Sequence, residues 1–150
     1  MDNFDRQILV SLQSNNKKTS EELGIEIGLS ATAIQRRIKK LKETGVIDKE
    51  VAIVNASQLG GFVTVVVEIV MVKGGASVID RFKNKVTNHP EVQQCYYVAG
   101  EKDFVLIVTA ASMQRYEEIT RELFLDDDSI LKFTSNVAMQ SVKVGLSIPI

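Results

Sequence analysis

Apolar positions in the first third of the chain repeat at helical spacing, and each repeat is bounded by residues that start or stop helices. Phe4, Ile8, Leu9 and Leu12 make one stripe, with Asp2 or Asn3 placed to cap it and Asn15-Asn16-Lys17-Lys18 to end it. Thr19-Ser20-Glu21-Glu22 has the Thr-x-x-Glu form of a capping box, and it opens a short helix with Leu23 and Ile27 on one face. Gly28-Leu29 supplies a tight turn. A third helix then runs from Ser30, an N-cap, toward Gly45, which tolerates the positive φ that ends a helix. Ile34, Ile38 and Leu41 line its packing stripe, Gln35, Arg36, Lys39, Lys40 and Lys42 point away from it, and Arg37 sits at the boundary. A short helix, a turn and a capped basic helix together read as a helix-turn-helix.

Beyond this helix the pattern shifts toward β structure. Val46-Ile47 and Val51–Val54 are short β-prone runs, expected as a small wing or a connecting strand, and Asn55–Gly61 reads as a linker. From there the expected order is strand (Phe62–Val72), helix (Ala76–Asn88, with Val78, Ile79, Phe82 and Val86 inward), strand (Val92–Val98), turn (Ala99–Lys102), strand (Phe104–Thr109), helix (Met113–Leu125) and strand (Ile130–Val144). This βαββαβ order predicts a ferredoxin-like split with helices on one sheet face. The fold class expected is α+β: a winged helix-turn-helix over 1–50, a linker or hinge strand over 51–61, and a ferredoxin-like domain over 62–150. The other sheet face is apolar and needs a cover, which points to dimerisation through it.

The 150 residues are 45% hydrophobic and 25% charged, the range of an ordinary globular chain. No apolar run is long enough to span a membrane, and Met-Asp-Asn-Phe-Asp-Arg lacks the order of a signal peptide, so a cytoplasmic location is expected. Cys95 is the single cysteine, which excludes an intramolecular disulfide or a multi-cysteine zinc site, and its flanking strand pattern reads as a packed thiol. Asp126-Asp127-Asp128 lacks the spaced oxygens of a calcium loop and reads as a solvated turn, so neither a metal nor a cofactor is expected. A net charge of −1 sits oddly with nucleic-acid binding. Locally, however, Arg36, Arg37, Lys39, Lys40 and Lys42 face only Glu43 in the third helix. Screening over about 10 Å at 0.1 M salt makes this local field the one a phosphate backbone meets.

These pieces together resemble the Lrp/AsnC (leucine-responsive regulatory protein) family over essentially the whole chain. The resemblance is carried by Asp5-Arg6-Gln7-Ile8-Leu9, Leu29-Ser30 with Arg37-Ile38-Lys39-Lys40-Leu41 and Gly45-Val46-Ile47, Leu59-Gly60, Pro90-Glu91-Val92 with Cys95-Tyr96, Gly100-Glu101-Lys102-Asp103-Phe104, and Val142-Lys143. It implies an N-terminal winged helix-turn-helix, a C-terminal effector-binding (RAM) domain, dimers assembling into octamers, and transcriptional control through small molecules, commonly amino acids. No enzymatic activity is implied.

On this reading the partners are double-stranded DNA, a small-molecule effector and further copies of the chain, with no membrane. Thr32, Gln35 and Arg36 are expected to read bases, since Gln pairs with adenine and Arg with guanine in bidentate fashion. Lys39, Lys40 and Arg37 are expected on phosphates, with Arg37 equally suited to clamping helices together. Ser30 is both a cap and a candidate phosphate contact. For the effector, the turn Gly100-Glu101-Lys102-Asp103 matches the family's glycine-acid-x-aspartate loop, where an ammonium and a carboxylate need an acid and accessible backbone amides. Tyr96, Val98 and Ala99 before the turn and Thr134, Ser135 and Asn136 in the last strand are the candidate walls. Tyr96 and Tyr97 alternate faces, so one of them belongs to packing. Ala99 and Glu101 depart from the family's usual Thr and Asp.

Two alternatives stay open at this stage. Sirohaem decarboxylases share this layout, although their resemblance implies histidines at the tetrapyrrole site and only His89 is present. A DNA-organising oligomer that senses no effector would use the same residues for assembly alone.

Overall fold

A computed structural model describes residues 1–150, apart from the side chain of Ser57. The chain forms two compact units, Met1–Ile53 with Lys143–Ile150, and Val54–Val142.

In the first unit, helices α1 (Asn3–Ser14), α2 (Ser20–Ile27) and α3 (Ala31–Glu43) form where the capping signals place them. Asp2 and Asp5 make a reciprocal capping box on α1, as Thr19 and Glu22 do on α2, and Ser30 Oγ accepts from the Ala33 N–H at 3.2 Å. Each cap satisfies amides that the first helical turn leaves without partners. Ile8, Leu9, Leu23, Ile34 and Leu41 are buried together, with Leu12, Ile27, Leu29, Ile38 and Ile47 packed around them. Phe4, expected on the inward stripe, stays at the edge, with the Arg37 guanidinium 5.4 Å from its ring centroid.

The tight turn after α2 uses Gly28 at φ +80°. A second glycine matters more. A Cβ added at Gly24 would lie 2.5 Å from the Leu29 carbonyl oxygen, so only glycine lets the backbone leading into α3 approach α2 this closely.

Among the described residues, the two runs expected as a wing or connecting strand pair with no other strand. Both the Val46 and Ile47 amides donate to the Leu41 carbonyl, at 2.9 and 3.1 Å, closing the end of α3 in place of a ladder. Val51 and Ile53 are exposed. Gln13 fastens the C-terminal segment of this unit: the Ile148 N–H donates to Gln13 Oε1 at 2.6 Å, and Gln13 Nε2 donates to the Ile148 carbonyl at 3.0 Å.

The second unit begins with a single helical turn, α4 (Ala56–Leu59), inside the segment expected as linker. Strands β1 (Val63–Met71), β2 (Val92–Tyr97), β3 (Phe104–Ala110) and β4 (Ile130–Val137) form an antiparallel sheet in the order β2-β3-β1-β4. With α5 (Ala76–Thr87) and α6 (Met113–Thr120) this is the βαββαβ split. Pleating sends Val65, Val67, Ile69 and Met71 of β1 to the same face as Phe104, Leu106, Val108 and Ala110 of β3. Phe82 and Val86 of α5 and Tyr116 and Ile119 of α6 close over them.

Two boundaries differ from expectation. The second helix changes after Thr120 into a π turn, Arg121–Leu125, and the widened turn places Leu123 and Phe124 side by side in the core. The last strand stops at Val137, well before Val144, because its only ladder partner β1 runs out. Val137 pairs with Val65, and the Ala138 N–H makes the final bond, to the Thr64 carbonyl.

Gly24→Ala should destabilise the first unit by about 1–3 kcal/mol, the usual penalty for forcing atoms into an overpacked contact. Thermal melting followed by far-UV circular dichroism checks this, and an unchanged melting profile would remove the close approach as the reason for glycine.

Candidate nucleic-acid interface and ligand face

Helix α3 divides by chemistry along its length. Ile34 and Leu41 are buried, whereas Thr32, Gln35, Arg36, Lys39 and Lys40 are all exposed. Thr32, Gln35, Arg36 and Lys39 stand at i, i+3, i+4 and i+7, one stripe on the side opposite the core. Among these, only Lys39 has an ionic neighbour, Glu43 at 3.8 Å on the same exposed surface. Lys42 is drawn aside to Glu50 at 2.6 Å. Lys40 and Lys42 in the last turn also face the negative end of the helix dipole.

Arg37 is placed differently from its neighbours. Its Nη1 donates to Asp2 Oδ2 at 2.8 Å and to Asp5 Oδ1 at 2.7 Å, the two carboxylates of the α1 capping box. The guanidinium thus ties α3 to the start of α1, which is the clamping alternative for this residue. The carboxyls of Asp2 and Asp5 are held below the ordinary range, first by the reciprocal backbone hydrogen bonds of the box and then by Arg37. The Arg37 guanidinium is correspondingly favoured in its charged form by both acids.

On the second unit, the sheet register sorts the candidate effector residues. Tyr96 opposes Val105, Val105 opposes Glu68, and Glu68 opposes Thr134, giving one row across all four strands on the face away from the helices. The next row is Gln94, Ile107, Val66 and Asn136. The Tyr96 hydroxyl donates to Gln94 Oε1 at 2.8 Å, linking the two rows. Ser135 projects to the opposite face, where its hydroxyl meets the Tyr116 hydroxyl at 2.5 Å. Tyr97 also lies on the helix side, with its ring 4.9 Å from Phe104. Register therefore brings Tyr96, Thr134 and Asn136 to one face and removes Ser135 from it. Three strand spacings, roughly 14 Å, separate Tyr96 from Thr134, too far for one free amino acid to touch both within a single copy.

The turn Ala99–Lys102 is closed by the Val98 N–H donating to the Asp103 carbonyl at 2.9 Å. Gly100 and Glu101 are exposed, and a Cβ on Gly100 would meet nothing within 4 Å. Asp103 is partly committed. Its Oδ2 accepts from the Met71 N–H at 2.7 Å, and its own N–H donates to the Ile69 carbonyl at 2.8 Å, pinning the turn to the end of β1. Glu68, which sequence reading did not single out, is a carboxylate in the middle of the open face with no ion-pair or hydrogen-bond partner among the described residues. Only the register reveals it, because in sequence it is one polar residue within a β-branched run.

The remaining reactive side chains serve packing and surface networks. His89 Nε2 lies 3.0 Å from Glu122 and Nδ1 lies 3.2 Å from Glu91. Arg115 engages Glu91, Glu118 and Glu122 in the same network, and its hydrogen bond holds the Glu91 carboxyl below the usual range. Burial pushes the Cys95 thiol up, away from the reactive thiolate. Asp127 accepts from Ser129 and pairs with Lys85 at 3.3 Å.

Comparisons with known proteins agree with this geometry. Residues 1–42 match the family model described as the AsnC-type helix-turn-helix domain, and residues 64–148 match that described as the Lrp/AsnC ligand binding domain. The chain is 43% identical over 150 residues to an uncharacterized HTH-type transcriptional regulator, y4tD, of Sinorhizobium fredii (strain NBRC 101917 / NGR234), covering 100% of this chain and 89% of the relative. It is 30% identical over 143 residues to the leucine-responsive regulatory protein of Escherichia coli (strain K12), covering 95% and 87%. Among solved structures, an AsnC family transcriptional regulator from Agrobacterium tumefaciens superposes with a TM-score of 0.89 at 30% identity, covering 99% of this chain and 97% of that one. NMB0573 of Neisseria meningitidis, solved as an L-Met complex, shares the fold with a TM-score of 0.89 at 23% identity, covering 99% and 96%. No helix of the described residues is long and apolar enough to cross a membrane.

Removal of the Arg37 clamp should show a defined pH dependence. Because the folded-state Asp2 and Asp5 carboxyls titrate below their ordinary value of about 4, the stabilisation they share with Arg37 is complete above that pH and disappears as pH falls through the lowered values. Arg37→Ala should therefore melt below the wild type at pH 7, with the gap closing in acid. A gap that is constant with pH would show that the lost contribution is the Phe4 contact and not the ion pair.

Proposed function

Because the chain belongs to the Lrp/AsnC family of transcriptional regulators, we propose that it is a sequence-specific DNA-binding regulator whose DNA binding or assembly responds to a free amino acid. The observation that carries the DNA side is the exposed stripe of α3: Thr32, Gln35, Arg36 and Lys39 are unburied and point one way, while Arg37 fixes the helix from behind. Laid in the major groove, such a helix offers its N-terminal residues to base edges. Thr32, Gln35 and Arg36 read bases, and Lys39 and Lys40 neutralise phosphates. Ser30 keeps its capping bond, and its hydroxyl also stands where a phosphate meets the helix N-terminus. Arg37 contributes by setting the angle of α3.

The amino-acid effector is taken by the turn Gly100–Asp103 together with Tyr96, Val98 and Ala99. Asp103 Oδ1, the oxygen not bonded to Met71, and Glu101 are the acids available to an ammonium group, and the Gly100 amide is available to a carboxylate. Lys102 keeps this end of the site from being purely acidic. Thr134 and Asn136 reach the same ligand only from a second copy, since the width of the sheet separates them from Tyr96. Ser135 acts from behind, through Tyr116. The L-Met complex of NMB0573 gives the chemical class to screen first.

In this reading, residues 1–50 contact DNA, 51–61 form the hinge, and 62–150 sense and assemble. Copies join through the open sheet face into dimers and the dimers into octamers. The protein works in the cytoplasm, where its DNA and its effector are.

Anisotropy of a labelled fragment from upstream of the protein's own gene, at two salt concentrations with excess random competitor, tests the DNA reading. Arg36→Ala should relax preference at one base pair, losing about 1–3 kcal/mol of discrimination. Lys39→Ala should weaken all sequences alike and reduce the salt slope by about one. Equal effects of both on specific and random DNA would contradict the division of labour. For the effector, Asp103→Asn retains an acceptor for the Met71 amide but loses the charge. It should melt like the wild type while its amino-acid-induced thermal shift disappears, and an unaltered shift would exclude Asp103 from the site.

A further inference from the structure

The open sheet face has an apolar centre bordered by Gln94, Tyr96, Thr134 and Asn136, and its strands carry two charged residues. Val66 and Val70 of β1 and Val105 and Ile107 of β3 make a continuous half-buried patch, and Glu68 sits inside it. Lys132 of β4 opposes Val70 on the same face, and it too has no ion-pair or hydrogen-bond partner among the described residues. Glu68 opposes Thr134, so Glu68 and Lys132 are diagonal neighbours on adjacent strands. Diagonal positions lie about 7–8 Å apart at Cα, and here the two charges are not in contact within one copy.

An apolar patch covered by any partner takes its water with it, and a carboxylate stranded under that cover is strongly unfavourable unless a cation meets it. The cover for Glu68 therefore has to bring a positive charge to the middle of the patch. A second copy does so. An interface with two-fold symmetry is self-complementary: if one position meets another, the reverse contact forms as well. One anion and one cation, offset from each other on a single face, satisfy that condition twice when the axis passes between them. The turn beside this end carries three further charged groups, Glu101, Lys102 and Asp103, and the Oδ2 of Asp103 is held by the Met71 amide.

We propose that a second copy of this chain docks on the open face with Glu68 against the partner's Lys132 and Lys132 against the partner's Glu68, and that this reciprocal pair selects the chain's own kind as partner. The inference rests on the reading above that the open face joins two copies. It adds which charges fix the register and discriminate against a related chain lacking either one.

Charge reversal tests the pair by sedimentation velocity and native mass spectrometry of full-length protein. Glu68→Lys places like charges at both contacts, as does Lys132→Glu, so each variant alone should self-associate at least tenfold more weakly than the wild type. An equimolar mixture of the two variants, with tags of different mass, should form a heterodimer, because every contact is again opposite in sign. The double variant Glu68→Lys/Lys132→Glu should self-associate like the wild type, which also shows that the substituted chains fold. If the single variants dimerise normally, or if the mixture does not rescue association, the reciprocal pair is overturned while the open face stands as an interface. A wild-type chain that is monomeric at every concentration overturns the interface and the pair together.

Discussion

The strict alternation of side chains along β1 and β3 is the constraint from which most of the second unit follows. Once Val65, Val67, Ile69 and Met71 are committed to the helices together with Phe104, Leu106, Val108 and Ala110, every intervening residue is forced to the other face. A one-residue slip would exchange the two sets. The same alternation, carried outward by β2 and β4, decides that Tyr96 and Thr134 share a surface while Tyr97 and Ser135 lie on the helix side. The composition of the open face is thus a by-product of how the core is packed, and it can change without altering the hydrophobic side.

A comparable economy operates in the first unit. The capping box that starts α1 also supplies the two carboxylates that hold Arg37, so one pair of acids both satisfies orphan amides and positions the basic helix. The side chains left outward on α3 then carry few internal commitments. That separation of duties lets the outward stripe vary while the helix keeps its angle.

Local signals made much of this legible in the sequence. Thr19 with Glu22, Ser30 before α3 and Gly45 at its end act through neighbours within a few residues, and the helix and strand periods needed only the chain itself. What escaped depends on how the backbone turns and pairs, near in sequence or far from it. Arg37 stayed open between two roles because Asp2 and Asp5 lie more than thirty residues away. Gly24 carries no side chain to signal its role, and the Leu29 carbonyl against it belongs to the turn geometry. Val46 and Ile47 have strand-forming side chains, but their amides found the Leu41 carbonyl first. Thr134, Ser135 and Asn136 are consecutive and could be separated by face only once β4 was registered against β1.

The contact between Gln13 and Ile148 has a consequence for the order of events during synthesis. Helices α1 to α3 leave the ribosome first and hold most of their own core, yet the segment that Gln13 binds is made only after the whole second unit has been translated. The first unit is therefore complete only after the ligand-binding half of the chain has been made, because its last fastening is to Ile148.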